Sequence, residues 1–478
     1  MMIMKNKSIW MDEKSNNCKS VKKNMEVDVL IVGGGITGIS VLHELQNYNL
    51  KTILVERNIC GFGITSKSTA KITYLQESIY MNIRKSSYEL ASLYLKSQID
   101  AVNRLKDIIN EESIDCNLKE VSSYVFTNDE DNLTKLEEDY NFYTDNNVEA
   151  EYVTEIDDLD VLKGIKVPDT YVFHPLKYIN YLKNKYMDMI YEKSKLEKIN
   201  KDNNYYLCTV NDCLIKAKYV VIASHYPYFL FPFLMPLKSH IETSYIGAKR
   251  VNSFKEISAI NIDKPCISLR YHNDDKNNYL IYLYNSFNSA NIKSIRDNFL
   301  ELNRQYDFDY IWSNNDLITN DYMPIIGIIE GNLMIATGYN TWGFTNGTLA
   351  GKIIADIINK NDNEYISLFN PKRGINVNKV LRFPIDTASS IKSIIKSSKG
   401  NVNNSKVIYK KINDINVAVY TDDDKKEHIV LNKCPHMKCG IVFNEIEKTW
   451  DCLCHGSRFD IDGKCINGPS NYDITFKY

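Results

Sequence analysis

Apolar positions change their period several times along the chain, and those changes mark out its elements. Val27-Asp28-Val29-Leu30-Ile31-Val32 is a short β-branched run that reads as a buried parallel strand. It enters Gly33-Gly34-Gly35-Ile36-Thr37-Gly38, then an amphipathic helical stretch to about Tyr48, then a second apolar run from Lys51 to Glu56. Residues 77–113 carry Ile79, Ile83, Leu90, Leu93 and Leu95 among charges and predict a long helical stretch, whereas residues 119–127 alternate like a strand. Tyr219 to Ala223 is another buried strand, followed by the proline-broken apolar segment Pro227–Pro236, expected to be a core or lid segment. Residues 240–287 supply alternating strands, Leu333–Gly338 predicts one more, and a helix is expected from near Thr345 to Asn359. From Ser405 to Tyr478 the pattern is of short strands, behind a polar run from Ser397 to Asn404 that reads as a linker.

Composition narrows the class without fixing it. A chain of 478 residues suggests two or three domains, and 44% apolar with 25% charged residues is ordinary for a globular protein. A net charge of -2 gives no argument for nucleic acid or an anionic membrane surface. No stretch approaches the roughly 18 apolar residues of a spanning helix, and the first residues lack a signal-peptide core, so no membrane span and a cytoplasmic location are expected. Of eleven cysteines, Cys18, Cys60, Cys116, Cys208, Cys213 and Cys266 are scattered without pairing signatures, and Cys465 lacks a motif role.

Two motifs carry chemistry. In the first, strand, glycine turn, helix, strand and acid follow one another: Gly33 permits a tight turn, Gly35 lets backbone approach a pyrophosphate, and Gly38 lets helix pack on strand. The helix start at Ile36 and Thr37 offers free amides to phosphates, and Glu56, 18 residues after Gly38, is placed to accept hydrogen bonds from a ribose. The hydroxyl-rich loop Gly61–Lys71, with Ser66, Thr69 and Ala70, suits the phosphate and ribityl part of a long cofactor; Arg57 stands beside the acid. One fingerprint alone argues for FAD over a pairing of FAD with a pyridine nucleotide. In the second motif, Cys434-x-His436 and Cys452-x-x-His455 bring two thiols and two imidazoles together, a set that suits a [2Fe–2S] centre or zinc.

Residues 27 to about 360 resemble the D-amino-acid oxidase-like (DAO) family of FAD-dependent oxidoreductases, on the fingerprint, Asp321-x-x-Pro324-x-x-Gly327 and the segment Gly338 to Gly347. The resemblance implies that Gly338, Gly343, Phe344 and Thr345 contact the flavin, with the helix start facing its pyrimidine edge. It leaves His174, before Pro175 and Tyr178, open as catalytic base or helix cap. Arg270, Arg250 and Tyr245 are candidates for holding a substrate carboxylate. Tyr284-Asn285-Ser286-Phe287 departs from the family pattern, which has a glycine pair and a histidine there.

The C-terminal stretch resembles the Rieske family, on Cys434-Pro435-His436 through Gly440, Cys452 through Asp460, Gly463 and Gly468-Pro469-Ser470. That resemblance implies Cys434 and Cys452 on one iron and His436 and His455 on the other, with a disulfide between Cys439 and Cys454; cytosolic disulfides are rare, which weighs against it. Ser457 keeps a family hydroxyl, while Phe459 stands where high-potential members have tyrosine, so a lower potential is expected.

The fold class expected is α/β and α+β: a Rossmann-like FAD-binding domain (27–76, 175–235 and 315–360), an inserted antiparallel-sheet substrate domain (77–174 and 236–314) and a small all-β Rieske domain (405–478). A polar lead-in (1–26) and a docking segment with linker (361–404) complete the chain. The two resemblances together imply a dehydrogenase. It would take a hydride from a C–N bond of an amine or amino acid onto flavin and send electrons singly through the cluster to an external acceptor. The alternatives are the reverse flow, from an external one-electron donor, and a flavoprotein oxidase with a zinc-binding interaction module; a Rieske oxygenase lacks a mononuclear-iron triad.

Overall fold

The computed structural model describes residues 5–157, 159–227, 238–274, 276–289, 292–374, 406–436, 438–454, 456–468, 470 and 472–476. The expected core or lid segment beyond Pro227 and the expected linker lie outside these residues. The apolar run at the fingerprint forms the strand Met25–Val32, paired in parallel with Thr52–Val55 on one side and Cys213–Ile222 on the other. The sheet continues through Leu333–Thr337 to Ile325–Glu330 at one edge and Ile190–Tyr191 at the other, and Leu196–Asp202 and Tyr205–Val210 extend it antiparallel. Alternate residues of its central strand serve different cores: Val29 and Ile31 pack with the helices, Leu30 and Val32 with the strand layer on the opposite face. This two-sided burial is why the run reads as continuously apolar.

Helix Ile36–Glu44 crosses Gly343–Asn359 so closely that a Cβ on Gly351 would stand 2.7 Å from that of Ser40. The two helices that begin at the nucleotide site are therefore locked to each other.

The second sheet runs in the order Tyr310–Thr319, Ser239–Val251, Asn278–Asn288, Ile267–Asn273, Ile257–Asn261, Lys119–Thr127, Leu159–Val172, Lys71–Ile72, with Glu151–Ile156 added to Leu159–Val172. It differs from a purely antiparallel sheet in one pairing, Ile257–Asn261 alongside Lys119–Thr127 in parallel. Strand Tyr310–Thr319 runs through the expected domain boundary at 314 and 315, because its full length pairs with Ser239–Val251. The helical stretch at 77–113 divides into Ile79–Arg84 and Tyr88–Glu111, where the Ser87 hydroxyl accepts from the Leu90 amide at 3.1 Å and starts the longer helix anew.

The N-terminal segment is an anchor as well as a polar lead-in. Trp10 is fully buried, and its indole N–H donates to the Ser68 carbonyl at 2.9 Å. Of the expected docking segment, residues 361–374 carry Arg373, which donates to both carboxylate oxygens of Asp321 at 2.6 and 3.0 Å.

The C-terminal module has a three-stranded antiparallel sheet, Val407–Ile412, Ile415–Thr421 and Glu427–Leu431, and a four-stranded one, Val442–Asn444, Thr449–Asp451, Arg458–Phe459 and Cys465–Asn467. Trp450 and Phe459 are both fully buried in its own core. Among the described residues no helix is long and apolar enough to cross a membrane.

Candidate functional site

The fingerprint turn opens a cleft of about 1500 Å³, part of it open to solvent, that runs along the C-terminal ends of the parallel strands. Gly33, at φ 111°, leaves no room for a side chain, since a Cβ would lie 2.8 Å from the Ala223 carbonyl oxygen. A Cβ on Gly38 would lie 1.9 Å from the Gly33 carbonyl oxygen, so helix and turn meet only through glycine. Glu56 accepts from the Gly34 amide at 2.8 Å and from the Asn58 amide at 2.7 Å; burial pushes its carboxyl up and the two amides pull against that. The Ile36 amide donates to the Thr65 hydroxyl at 3.0 Å, and the hydroxyls of Thr37 and Tyr339 meet at 3.0 Å.

Of the cofactor residues expected from sequence, Gly33, Gly35, Ile36, Thr37, Glu56, Arg57, Gly343 and Phe344 line this cleft. Thr69 and Ala70 line a second cavity, of about 690 Å³ with part of it open to solvent, that shares Asn314, Asp316, Thr341, Gly343 and Phe344 with it. Gly38, Ser66, Gly338 and Thr345 stand behind the wall: Ser66 donates to the Gly63 carbonyl at 3.0 Å, and Thr345 to that of Trp342 at 3.4 Å. The cleft also holds buried polar atoms with no protein partner, Ser224 Oγ, His225 Nε2 and Asn314 Oδ1. Such atoms call for a long polar ligand, and with the glycine turn they fit FAD.

The second cavity is the arrangement that sequence reasoning missed. Its wall carries Lys71, Glu77, Ser244, Cys266, Ser286 and Asp316 beside the apolar Ile246, Ile260 and Leu283. Lys71 Nζ donates to the Ala259 carbonyl at 2.8 Å and to Ser268 Oγ at 2.6 Å, and burial pulls its ammonium down to about 7. Burial likewise pushes Glu77 and Asp316 up, each to about 7, and Asn314 Nδ2 donates to Asp316 at 2.9 Å. A signal existed: Lys71 and Glu77 are the only charged residues between Lys67 and Arg84, and Asp316 is the only one between Asp309 and Asp321.

The candidates for acid, base or carboxylate holder lie elsewhere. Ser244 and Ile246 face the second cavity, so strand alternation turns Tyr245 to the other side, where it packs on the rings of Phe287 and Phe299 at 6.2 and 5.6 Å. Arg270 is fully buried, donates to the Phe173 carbonyl at 3.2 Å and stacks over Trp10 at 5.0 Å. His174 caps helix Pro175–Lys185, its Nδ1 accepting from the Lys177 amide at 3.2 Å, with Trp10 edge-on at 5.0 Å. Arg250 is exposed, over the Tyr279 ring at 5.9 Å. None of these four lines either cavity.

In the C-terminal module two loops face each other. The Cys434 amide donates to the Cys439 carbonyl at 2.7 Å and the Cys452 amide to that of Ser457 at 2.7 Å. Cys434 and Cys452 are buried thiols, and the Sγ atoms of Cys439, Cys452 and Cys454 lie within 4.8 Å of one another. Cys439 and Cys454 form a disulfide that ties the loops together. Burial pulls His436 down to about 4, leaving the neutral imidazole that ligates metal. His455 lies outside the described residues. The described donors, two buried thiols and a neutral imidazole in apposed loops, fit a cluster held by two cysteines and two histidines.

The module seats this end on the cleft. Ile466, Asn467, Gly468 and Ser470 form part of the cleft wall, and Arg57 donates to the carbonyls of Ile466 and Ser470, both at 3.5 Å. The Ser470 amide donates to Ser457 Oγ at 2.9 Å, and the rings of His436 and Tyr226 lie 6.2 Å apart. On the other flank Arg458, paired with Asp451 and Glu447, donates to Ser313 Oγ at 2.6 Å.

Comparison with known proteins agrees with this geometry. The FAD dependent oxidoreductase family (DAO) matches residues 28–357, and the Rieske [2Fe-2S] domain matches residues 394–476. The chain is 29% identical over 483 aligned residues, 94% of its own length and 93% of the relative's, to a protein named putative Rieske 2Fe-2S iron-sulfur protein YhfW of Bacillus subtilis. It is 22% identical to gamma-glutamylputrescine oxidoreductase of Escherichia coli, over 71% of this chain and 85% of that protein. Glycine oxidase from Geobacillus kaustophilus superposes with a TM-score of 0.58 at 16% identity, covering 73% of this chain and all of that one, and so shares its fold.

Proposed function

The chain belongs to the FAD dependent oxidoreductase family and carries a Rieske [2Fe-2S] domain behind the flavin fold, and from that premise we propose that it is an amine or amino acid dehydrogenase that exports electrons one at a time. It binds FAD and a [2Fe–2S] cluster, which rules out the zinc module as the role of the C-terminal cysteines and histidines. When bound, the flavin accepts a hydride and releases single electrons, and the cluster carries one electron at a time. The residues that would hold the flavin are those of the glycine turn, Glu56 and the start of helix Gly343–Asn359; those that would hold the cluster are Cys434, His436, Cys452 and His455.

One observation carries the reading. Residues Ile466 to Gly468 and Ser470, beside the loops that would hold the cluster, are themselves part of the wall of the flavin cleft. A module serving only stability would have no need of a wall in that cleft. Arg57 and Arg458 orient it from two flanks. A C–N substrate is supported by the likeness to proteins named for an acylated polyamine and for glycine. A cytoplasmic location is supported by the free thiols of Cys18, Cys60, Cys116, Cys208, Cys213 and Cys266.

The test is anaerobic mixing of the purified holoenzyme with amines and amino acids, followed by visible and electron paramagnetic resonance spectra. A substrate that bleaches the flavin and then raises the signal of a reduced His-ligated [2Fe–2S] centre supports export. If no such substrate is found, and a reduced one-electron donor bleaches the flavin through the cluster, electron flow is reversed.

A further inference from the structure

We infer that the second cavity receives a cationic aliphatic amine lacking an α-carboxylate, its ammonium held by Glu77, Asp316 and Ser244. This rests on the C–N dehydrogenase reading, and it names the class of substrate within it.

The lining argues from charge first. Two carboxylates, Glu77 and Asp316, and one ammonium, Lys71, face the cavity. Lys71 already donates to the Ala259 carbonyl and Ser268 Oγ, so most of its capacity is taken by the sheet itself. Arg270, whose guanidinium could clasp a carboxylate with two parallel bonds, is turned to the Phe173 carbonyl and the face of Trp10. An α-carboxylate entering here would meet two acids and no guanidinium in the cavity wall. An ammonium would meet the reverse.

Hydrogen bonding points the same way. Ser244 is 3% exposed and its Oγ lacks a protein partner, as does Oε2 of Glu77, and both residues line the cavity. An ammonium carries three donors, and Glu77, Asp316 and Ser244 supply three acceptors. Burial holds both carboxyls well above their ordinary range, and a cation between them would relieve that cost. The remaining wall, Ile246, Ile260, Leu283 and Phe344, is apolar and suits a carbon chain. Asp316 also lines the flavin cleft, so the ammonium end is set at the junction of the two spaces.

The test pairs each amine with the amino acid that differs by one carboxylate: butylamine against D- and L-norvaline, pentylamine against D- and L-norleucine. Binding to the oxidised holoenzyme is measured by titration calorimetry, with flavin content and anaerobic bleaching recorded on the same samples. The amines should bind at least about tenfold more tightly than their carboxylated partners, and Glu77→Gln and Asp316→Asn should each weaken amine binding about tenfold with flavin retained. Ser244→Ala, a smaller change, should weaken it by about threefold and guards against misfolding of the other two variants. Amino acids binding as tightly as the amines, no binding by either, or loss of flavin from the variants with amine affinity unchanged would each overturn the inference. Bleaching by tightly bound norvaline overturns it while leaving the dehydrogenase reading standing; tight amine binding with no bleaching by any compound removes that reading and leaves the cavity assignment.

Discussion

Single residues decide whether each cofactor can be held. Gly38→Ala forces a methyl group against the Gly33 carbonyl oxygen, 1.9 Å from the built Cβ position, and neither helix nor turn can yield because Gly351 locks the same helix from the other side. The variant should purify without flavin, or with at least about tenfold weaker flavin binding, as read from visible absorption. Cys434→Ser should keep the flavin bands and lose the cluster, read as iron and acid-labile sulfide per chain. Phe459, fully buried beside the cluster loops, lacks the hydroxyl that its tyrosine counterpart could offer; Phe459→Tyr should raise the cluster's potential in a redox titration, and an unchanged or lower potential would remove that explanation. The glycines and the cysteine and histidine pairs were legible in sequence because their spacing is local. Trp10, Glu77 and Asp316 were not, since each acquires its role from strands distant in the chain. Tyr245 was a candidate through the family resemblance, and one step of strand alternation hands the cavity to its neighbours Ser244 and Ile246.

At the scale of elements, the periodicity located strands and helices well where one face or both are buried. The expected long helix at 77–113 breaks at Ser87 because a serine there satisfies an amide of the next helix, a local bond that outweighs continuity of the apolar pattern. His174 is such a device too. It ends strand Leu159–Val172's connection and caps helix Pro175–Lys185 with a bare Nδ1. His174→Ala should cost about 1 kcal/mol of stability, and His174→Asn should recover part of it, by denaturant titration. Burial, then Lys177 and Arg270, pulls the imidazole from 6.5 down to about 3. Between those values the unfolded chain binds the extra proton, so stability rises with pH through the window and is lost as pH falls below about 6.5. Relative to the native protein, the asparagine variant should show a shallower acid loss, by at most about 1.4 kcal/mol per pH unit; an unchanged slope would assign the acid sensitivity to His225 and His272, which burial also depresses.

Across the whole molecule, two sheets and a small β module meet along one cleft, and the module's seating is what joins two redox sites. Arg458 is the most buried link in that seating, between Asp451, Glu447 and Ser313. Arg458→Ala leaves the buried Asp451 and the half-buried Glu447 without their cation and should destabilise the protein by about 3 kcal/mol, while slowing passage of electrons between flavin and cluster. The domain order was legible because each module has its own motif; the seating was not, because each contact joins a residue of the flavin fold, Arg57 or Ser313, to one of the module, Ser470 or Arg458, with no shared sequence pattern. The measurement that bears most directly on the relay is anaerobic photoreduction of the flavin in the holoenzyme, followed by electron paramagnetic resonance. The account predicts that the signal of a reduced His-ligated [2Fe–2S] centre grows as light reduces the flavin, and that Cys434→Ser abolishes it. A flavin that reduces fully while the intact cluster stays oxidised would contradict it.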